Sequence, residues 1–499
     1  MTRLDQLPVI IGAGQDMRPV PTDLTDAATP SDLAGQALRR AFADAGIAPR
    51  AIDICYAVRL FADSGPIFPN PFGGSSNFPA SVCEAAGSSA RRHIYDYVGG
   101  ETPQVFVANA ARHFMAGEAE IVAVVGAEAA ANVRAAQRAG VTLNWAETRN
   151  EPLEDRGPTP PGNQDSFGFG GFMITPQAIS HRIVTPTLYY ALMESARRAA
   201  LGDSKAAYAE RMSAIWQEFS AVAAKNPYAF VNQKVTGADI VRPGPDNPMI
   251  ASPYTRAMIA RDGVNLGAAI LITTYGTAKR LGVSDVTFLY GHDQSSEPPP
   301  LMRARLDRAE AQTRVLQSVG RDADMYDLYS CFPIVPLEAS RILGLNGETR
   351  PRTLTGGLPF FGGPGNNYSL HAIAEAHSRV RGTDKTAVIY ANGGMATKHA
   401  AGRYGGQPPD AVQLDESPQS DAAVPVHSDA DPSGRIAAYT VEYRRGEPTG
   451  VLIIGETAKG SRFYARAGAE HAETFTIDDP LGAAFQTQTK GGQNLLTRV

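Results

Sequence analysis

His399 stands beside Lys398 just beyond a glycine turn, in the run NGGMATKH of residues 392–399. An imidazole titrates in the range where one group can both take and return a proton. His399 is therefore a candidate base, with a surface or helix-capping histidine as the plainer reading. Tyr329 and Tyr390 each close an apolar segment. A phenol there can donate to a developing oxyanion or, with a lowered pKa, accept a proton; it can also simply pack with its hydroxyl satisfied. Cys331, between Ser330 and Phe332, reads either as a thiol that meets substrate or as a small buried apolar residue. Cys55 in a strand and Cys83 in the helical run SVCEAAG read as core. Asn366, Asn367 and Asn392 lie in glycine turns, where asparagine tolerates left-handed angles and one of the three could hold a water or a carbonyl. Among the other histidines, His292 in GHDQ is the next candidate.

Several familiar chemistries fail on spacing. Gly12-Ala13-Gly14 follows the first apolar run, but the third glycine of a dinucleotide fingerprint is missing and the next helix starts too late to hold a pyrophosphate. In GETAKGS, residues 455–461, the lysine precedes the second glycine, so the segment is not a P-loop. No G-x-S-x-G, H-E-x-x-H or C-x-x-C pattern occurs, which leaves a serine hydrolase, a zinc site and a metal cofactor without support. The same holds for nicotinamide and flavin.

The elements that must carry these residues alternate along the chain. An apolar run at 7–12 precedes Thr29-Pro30-Ser31-Asp32, a capping pattern that predicts a helix to about residue 45. Residues 53–61 read as a strand. From Gln104 the apolar positions Val107, Ala110, Ala111, Phe114 and Met115 share one helical face, and 120–128 is a buried strand. Strand, helix and strand at this spacing predict an α/β fold with crossover connections. Residues 131–255 interrupt it with Gly/Pro-rich stretches and a helical run over 188–224. The α/β pattern returns with strands at 268–274 and 286–290, a helix over 301–318, an apolar segment at 325–332, a helix at 336–343 and a strand at 387–390. Residues 406–434, rich in Pro, Asp, Ser and Gln, read as a linker or a long surface loop. Beyond them, short alternating strands at 436–443, 449–455 and 461–465 predict a small all-β module that packs on the main body.

With 499 residues and a formal charge of −5, nothing favours nucleic acid or an anionic membrane. Three cysteines are too few for a disulfide framework. No apolar run approaches the ~20 residues of a membrane helix, so a soluble, cytoplasmic protein is expected.

Four segments in order resemble the thiolase superfamily. They are Gly99-Gly100-Glu101-Thr102-Pro103-Gln104 leading into Ala116-Gly117-Glu118-Ala119, DLYSCFP at 327–333, GGLPFFGGPGNNY at 356–368, and NGGMATKH. The likeness covers nearly the whole chain and is closest to thiolase-like proteins of the acetyl-CoA acetyltransferase type with an added C-terminal β domain. It implies two similar βαβ halves in an αβαβα arrangement: an N-terminal half over 1–130, a loop domain covering the site over 131–255, a C-terminal half over 256–405 and a β domain over 425–499.

The resemblance also shows what is missing. Where a thiolase places its nucleophilic cysteine, this chain has Gly99 or Gly100; where it has Gly-His-Pro, this chain has Gly362-Gly363-Pro364; where it has Cys-x-Gly, this chain has Tyr390-Ala391-Asn392. Tyr329-Ser330-Cys331-Phe332 stands at the Asn-Glu-Ala-Phe station, and its cysteine matches the His-Asp-Cys-Phe pattern of sterol-carrier-protein thiolases. Glycine can neither carry an acyl group nor move a proton, so an acyl-cysteine at the usual position is excluded by covalent chemistry. The resemblance then implies Cys331, His399, Tyr329 and Tyr390 as catalytic candidates. Gly99, Gly100, Gly363, Asn392 and Gly394 are the oxyanion or positioning residues. Coenzyme A or acyl-CoA is the implied substrate, and a homodimer paired through the sheet edge is the implied assembly. The first reading is an acyltransferase that makes or cleaves a C–C bond beside a carbonyl without an acyl-cysteine. The alternatives are a catalytically degenerate CoA- or acyl-binding protein, or a subunit like the thiolase-fold aldolases, which use tyrosines for proton transfer and dock small β proteins.

Overall fold

Apolar runs of the two halves join in one mixed sheet of eleven strands. In the first half, Pro8–Met17 pairs antiparallel with Asn265–Thr274, which pairs antiparallel with Ile121–Ala129. That strand runs parallel to Ala51–Ala57, which runs parallel to Ser89–Tyr95. In the second half, Thr287–Ser296 pairs antiparallel with Lys398–Gly405, which pairs antiparallel with Thr386–Gly393, and this runs parallel to Met325–Leu328. The same order and directions recur, and the halves meet where Val9 and Ile10 pair with Phe288 and Thr287. The computed structural model describes residues 3–65, 70–157, 174–230, 234–420 and 423–499. Residues 158–173 and 231–233 of the expected insertion lie outside the described residues.

Helices fill three layers around the sheet. Thr102–Met115 and Tyr368–Val380 lie between the halves, where Phe106, Val107, Ile373 and Ala376 meet Ile54, Val124 and Ile270 on one side and Leu289 and Ile389 on the other. Pro30–Asp44 and Phe78–Ala86 cover the first half through Leu38, Phe42, Val82 and Cys83. Glu310–Ser318 and Ile334–Leu343 cover the second through Val315, Leu316, Ile334 and Val335. The thiolase-type αβαβα arrangement is thus formed. Thr29 and Asp32 make the expected capping box. The Tyr368–Val380 helix is buried over most of its length and sets Leu370, Ile373, Ala376 and Val380 in the core between the halves.

Several expected elements differ. The run over 188–224 is two helices, Pro186–Leu201 and Lys205–Ala223. Gly202 takes φ +69° and ends the first, while the Ser204 side chain accepts from Ala207 N–H and starts the second. The expected helix over 301–318 begins only at Glu310, whose N–H donates to the Glu297 carboxylate. The strand expected over 53–61 ends at Ala57. The stretch read as a linker or a long surface loop is a surface strap: Gln413–Leu414 runs parallel to Gly291 and His292, and Ser417 and Ser420 hydrogen-bond to Asp293 and Ser296. Among the described residues no helix is long and apolar enough to cross a membrane.

The C-terminal strands close on themselves. Ser433–Arg444 pairs with Glu447–Glu456, which pairs with Arg462–Ala467; the last runs parallel to Gln493–Arg498, which pairs with Ala484–Lys490, and that returns to Ser433–Arg444. This order, with the helix Ala472–Ile477 between the third and fourth strands, is that of the oligonucleotide/oligosaccharide-binding barrel. The run Val451-Leu452-Ile453-Ile454 is apolar on both faces because each face is buried. Val451 and Ile453 fill the barrel, while Leu452 and Ile454 join the core formed by Leu188, Tyr189 and Leu192. Met249–Ala251 of the insertion extends the barrel sheet at Glu442.

Gly356 fastens the second half to the insertion. It takes φ +112°, and a Cβ there would overlap the backbone of Ala223 at the end of the Lys205–Ala223 helix. Gly356→Ala is expected to cost about 3 kcal/mol or more, read as a fall in the denaturant midpoint by far-UV circular dichroism.

Candidate functional site

The hairpin formed by Thr386–Gly393 and Lys398–Gly405 positions the polar residues. Side chains alternate between the faces of a strand, and Asn392 lies opposite His399 while Tyr390 lies opposite Ala401. Tyr390, Asn392 and His399 therefore share one face. The Tyr390 hydroxyl is 2.7 Å from His399 Nδ1. His399 Nε2 is 3.0 Å from the Ala396 carbonyl and 3.4 Å from Glu297 Oε1, both acceptors. Nε2 thus carries the ring proton, and Nδ1 accepts from the Tyr390 hydroxyl.

Burial alone would raise the Glu297 carboxyl, yet nearby Arg303 and the His399 ring hold it below the ordinary carboxylate range. Arg303 Nη2 donates to the carbonyls of Ala396 and Met395, at 2.6 and 3.2 Å, and so fixes the loop after the glycine turn. Burial, with smaller contributions from Cys331 and Glu297, pushes the Tyr390 phenol well above its usual value. Tyr390 is accordingly a neutral hydroxyl, able to take a proton only as it passes its own to His399. Tyr390 and His399 border a cavity of about 10 Å³, the room of a single water, with Tyr190, Met193 and Asn392 on its wall.

Cys331 is tied to this group through Asn392, whose Nδ2 lies 3.8 Å from Sγ and donates to the Tyr190 hydroxyl at 2.7 Å. Tyr190 stacks on Phe332 at 4.4 Å. The Asn392 Oδ1 has no hydrogen-bond partner among the described residues. Burial pushes the Cys331 thiol up to about 12, so it is a neutral thiol near pH 7. In the native protein it is expected to resist iodoacetamide at pH 8 and to react on unfolding, which mass spectrometry of the alkylated peptide would read. Alkylation of native Cys331 within minutes would contradict that burial.

The other sequence candidates fall around this face unevenly. Tyr329 is buried, with its phenol pushed up by burial and by Cys331 and Glu101, and a Cβ at Gly100 would overlap its hydroxyl. Gly394 takes φ +61° in the turn. The N–H of Gly363 donates to the Arg261 carbonyl at 2.7 Å, so that amide is not free to hold an oxyanion, and Gly363 packs against Leu358 and Ala260 away from the cavity wall. His292 is buried and neutral, pushed down to about 3 by burial. Cys55 and Cys83 are buried in the first half's core. Sequence reasoning did not find Tyr190 or Glu297. Tyr190 looks like one more apolar position of a helix, and Glu297 carries no local signal, since its partners come from residues 303, 310 and 399.

Among the described residues no group of three or more His, Cys, Asp and Glu side chains could hold a metal ion. No protein-family model and no curated protein matches the chain. Solved structures do. A monomeric SCP2-thiolase-like protein type 1 from Mycobacterium smegmatis is 29% identical, with 99% of each chain covered and a TM-score of 0.81. An Ltp2-ChsH2(DUF35) aldolase is 18% identical over 81% of this chain and 98% of its own, with a TM-score of 0.58. Acat5 thiolase from Ascaris suum, in complex with coenzyme A, is 14% identical over 80% and 99%, with a TM-score of 0.53.

Proposed function

Because this chain belongs to the thiolase superfamily and carries glycine where the acyl-accepting cysteine would stand, we propose that it acts on an acyl-CoA by proton transfer, making or cleaving the C–C bond beside the thioester carbonyl. The observation that carries this reading is the Tyr390–His399 pair on the wall of the water-sized cavity, with Glu297 beside the His399 ring. In cleavage of a β-hydroxyacyl-CoA, the substrate hydroxyl gives its proton to the Tyr390 oxygen as Tyr390 gives its own to His399 Nδ1. The O–H electron pair becomes the new C=O, the Cα–Cβ bond breaks, and its electrons form the thioester enolate. The proton returns from His399 through Tyr390 to the enolate carbon, so one acyl-CoA and one carbonyl compound leave. Glu297 stabilises the transient imidazolium. Cys331 contributes as a neutral packing thiol, and the Asn392 amide, donating to the Tyr190 hydroxyl, holds the wall beside it.

This aldol-type reading is favoured by tyrosine at the second-cysteine station. The aldolase whose structure is similar contains a DUF35 component, and here a barrel is fused to the chain. CoA-dependent thiolysis of a β-keto compound, an acyl transfer, is the second reading, supported by the likeness to a thiolase crystallised with coenzyme A. Calorimetry with acetyl-CoA, followed by chromatographic assay of 3-hydroxyacyl-CoA and 3-ketoacyl-CoA panels, separates them. Binding with cleavage of the first panel supports the aldol reading, and cleavage of the second with added CoA supports thiolysis. Binding without either leaves only an acyl-CoA-binding protein, and no binding ends all three.

We propose a monomer in place of the homodimer the resemblance implied. The edge strand Ser89–Tyr95 is already paired over His93–Tyr95 with Leu153–Asp155, and Arg92 clasps Glu154 bidentately. The similar mycobacterial protein is monomeric. Sedimentation equilibrium is expected to give the chain mass of 53.0 kDa, and twice that mass would reject the proposal.

A further inference from the structure

Beside the same hairpin lies a second polar cavity of about 200 Å³, with Lys398, His399 and the strap residue Glu416 on its wall. Lys398 pairs in register with Gly393 and so points away from the Tyr390 side. Glu101, Lys398, Tyr97, Gln294, Ser296 and Gln419 of the strap border this cavity. Glu101 is only 3% exposed, yet neither carboxylate oxygen has a hydrogen-bond partner among the described residues. Lys398 Nζ stands 3.6 Å from Glu101 Oε1 and gives its hydrogen bond to the Val98 carbonyl instead. The Gln294 Oε1 is also unpartnered.

The fold makes room for this carboxylate deliberately. A Cβ at Gly99 or at Gly393 would overlap it, so the Glu101 carboxylate fills the space of the side chain that position 99 lacks. A buried carboxylate costs several kcal/mol unless it is hydrogen-bonded, and an ammonium beside it but outside hydrogen-bond contact leaves both groups with unused capacity. Two opposite charges a few ångströms apart, facing a partly open cavity, fit a ligand that carries a donor and an anion of its own.

We propose that this cavity binds a small hydroxylated carboxylic acid, its hydroxyl donating to Glu101 and its carboxylate accepting from Lys398. The inference does not depend on the reaction assigned to Tyr390. Ligand-observed NMR on the full-length protein, with 3-hydroxybutyrate as probe, tests it. Saturable binding is expected, weakened at least about tenfold in butyrate, which lacks the hydroxyl, and in 1,3-butanediol, which lacks the carboxylate. Glu101→Gln and Lys398→Met are each expected to weaken 3-hydroxybutyrate by a similar factor. The comparison among probes uses wild-type protein alone and so stands even where a variant fails to fold. No saturable binding of 3-hydroxybutyrate, equal binding of all three probes, or unchanged binding in folded Glu101→Gln would each overturn the proposal and leave the cavity to water.

Discussion

Tyr390→Phe is expected to slow cleavage of a β-hydroxyacyl-CoA by about 10²–10⁴-fold, the usual contribution of a positioned acid–base group. Acyl-CoA affinity by calorimetry should be unchanged, because the phenyl ring keeps its place in the strand. The reason for so large an effect is that Tyr390 is the step between substrate and His399 Nδ1, and phenylalanine cannot carry the proton. His399→Ala should fall in the same range, because Tyr390 then has no acceptor for its proton. A merely structural role would lower the unfolding temperature and leave kcat of the folded variant unchanged. A Tyr390→Phe protein with full kcat would show that the Tyr390–His399–Glu297 series is not the catalytic relay.

Removing the barrel, by ending the chain at residue 424, should have the largest effect on stability. Ala438, Leu452, Ile454 and Tyr464 belong to the same core as Leu188, Tyr189 and Leu192, and each buried Leu or Ile side chain contributes about 1.5–3 kcal/mol. The contact is also polar. Tyr439 N–H donates to Ser195 Oγ at 3.0 Å, Tyr464 N–H to Gln177 Oε1 at 2.8 Å, and Arg466 Nη1 to the His181 carbonyl at 2.7 Å. Truncation would leave these acceptors and an apolar face uncovered, a loss of more than about 5 kcal/mol and comparable to the whole stability of many domains. The expected result is insoluble or partly unfolded protein. A milder variant reaches the site itself: Arg462 Nη1 donates to the Arg303 carbonyl at 2.5 Å, and the Arg303 guanidinium holds Met395 and Ala396 beside His399. Arg462→Ala is expected to lose about 1–3 kcal/mol and some activity. A truncated chain with native circular dichroism and unchanged unfolding would show that the barrel is an independent appendage.

The capping box at Thr29 and Asp32, the buried strand Ile121–Ala129 and the helical face of Val107, Ala110 and Ala111 were all legible locally, because each depends on neighbours within a few residues. Gly202 and Ser204 carried a legible break as well, although the apolar spacing on either side masks it. The Tyr368–Val380 helix went unread although Leu370, Ile373 and Ala374 recur at helical spacing. Closure of the barrel was beyond local reading, since Arg462–Ala467 runs parallel to Gln493–Arg498 and alternation along a strand does not reveal its partner.

Of the site, the sequence by itself determined which chemistry is impossible. Glycine at 99 and 363 has no atoms that can hold an acyl group or a proton, whatever the fold around it. It also supplied Tyr390 and His399 as candidates, nine residues apart across a glycine turn. Only the tertiary structure decided that they form one hydrogen-bonded pair, because antiparallel register puts His399 opposite Asn392 and thus on the Tyr390 face, while sending Lys398 to the other. It likewise brought Glu297 and Arg303 to the ring, buried Cys331 until its thiol is inert, and spent the Gly363 amide on Arg261. Those outcomes depend on charge, burial and contact between residues distant along the chain, and no local pattern encodes them.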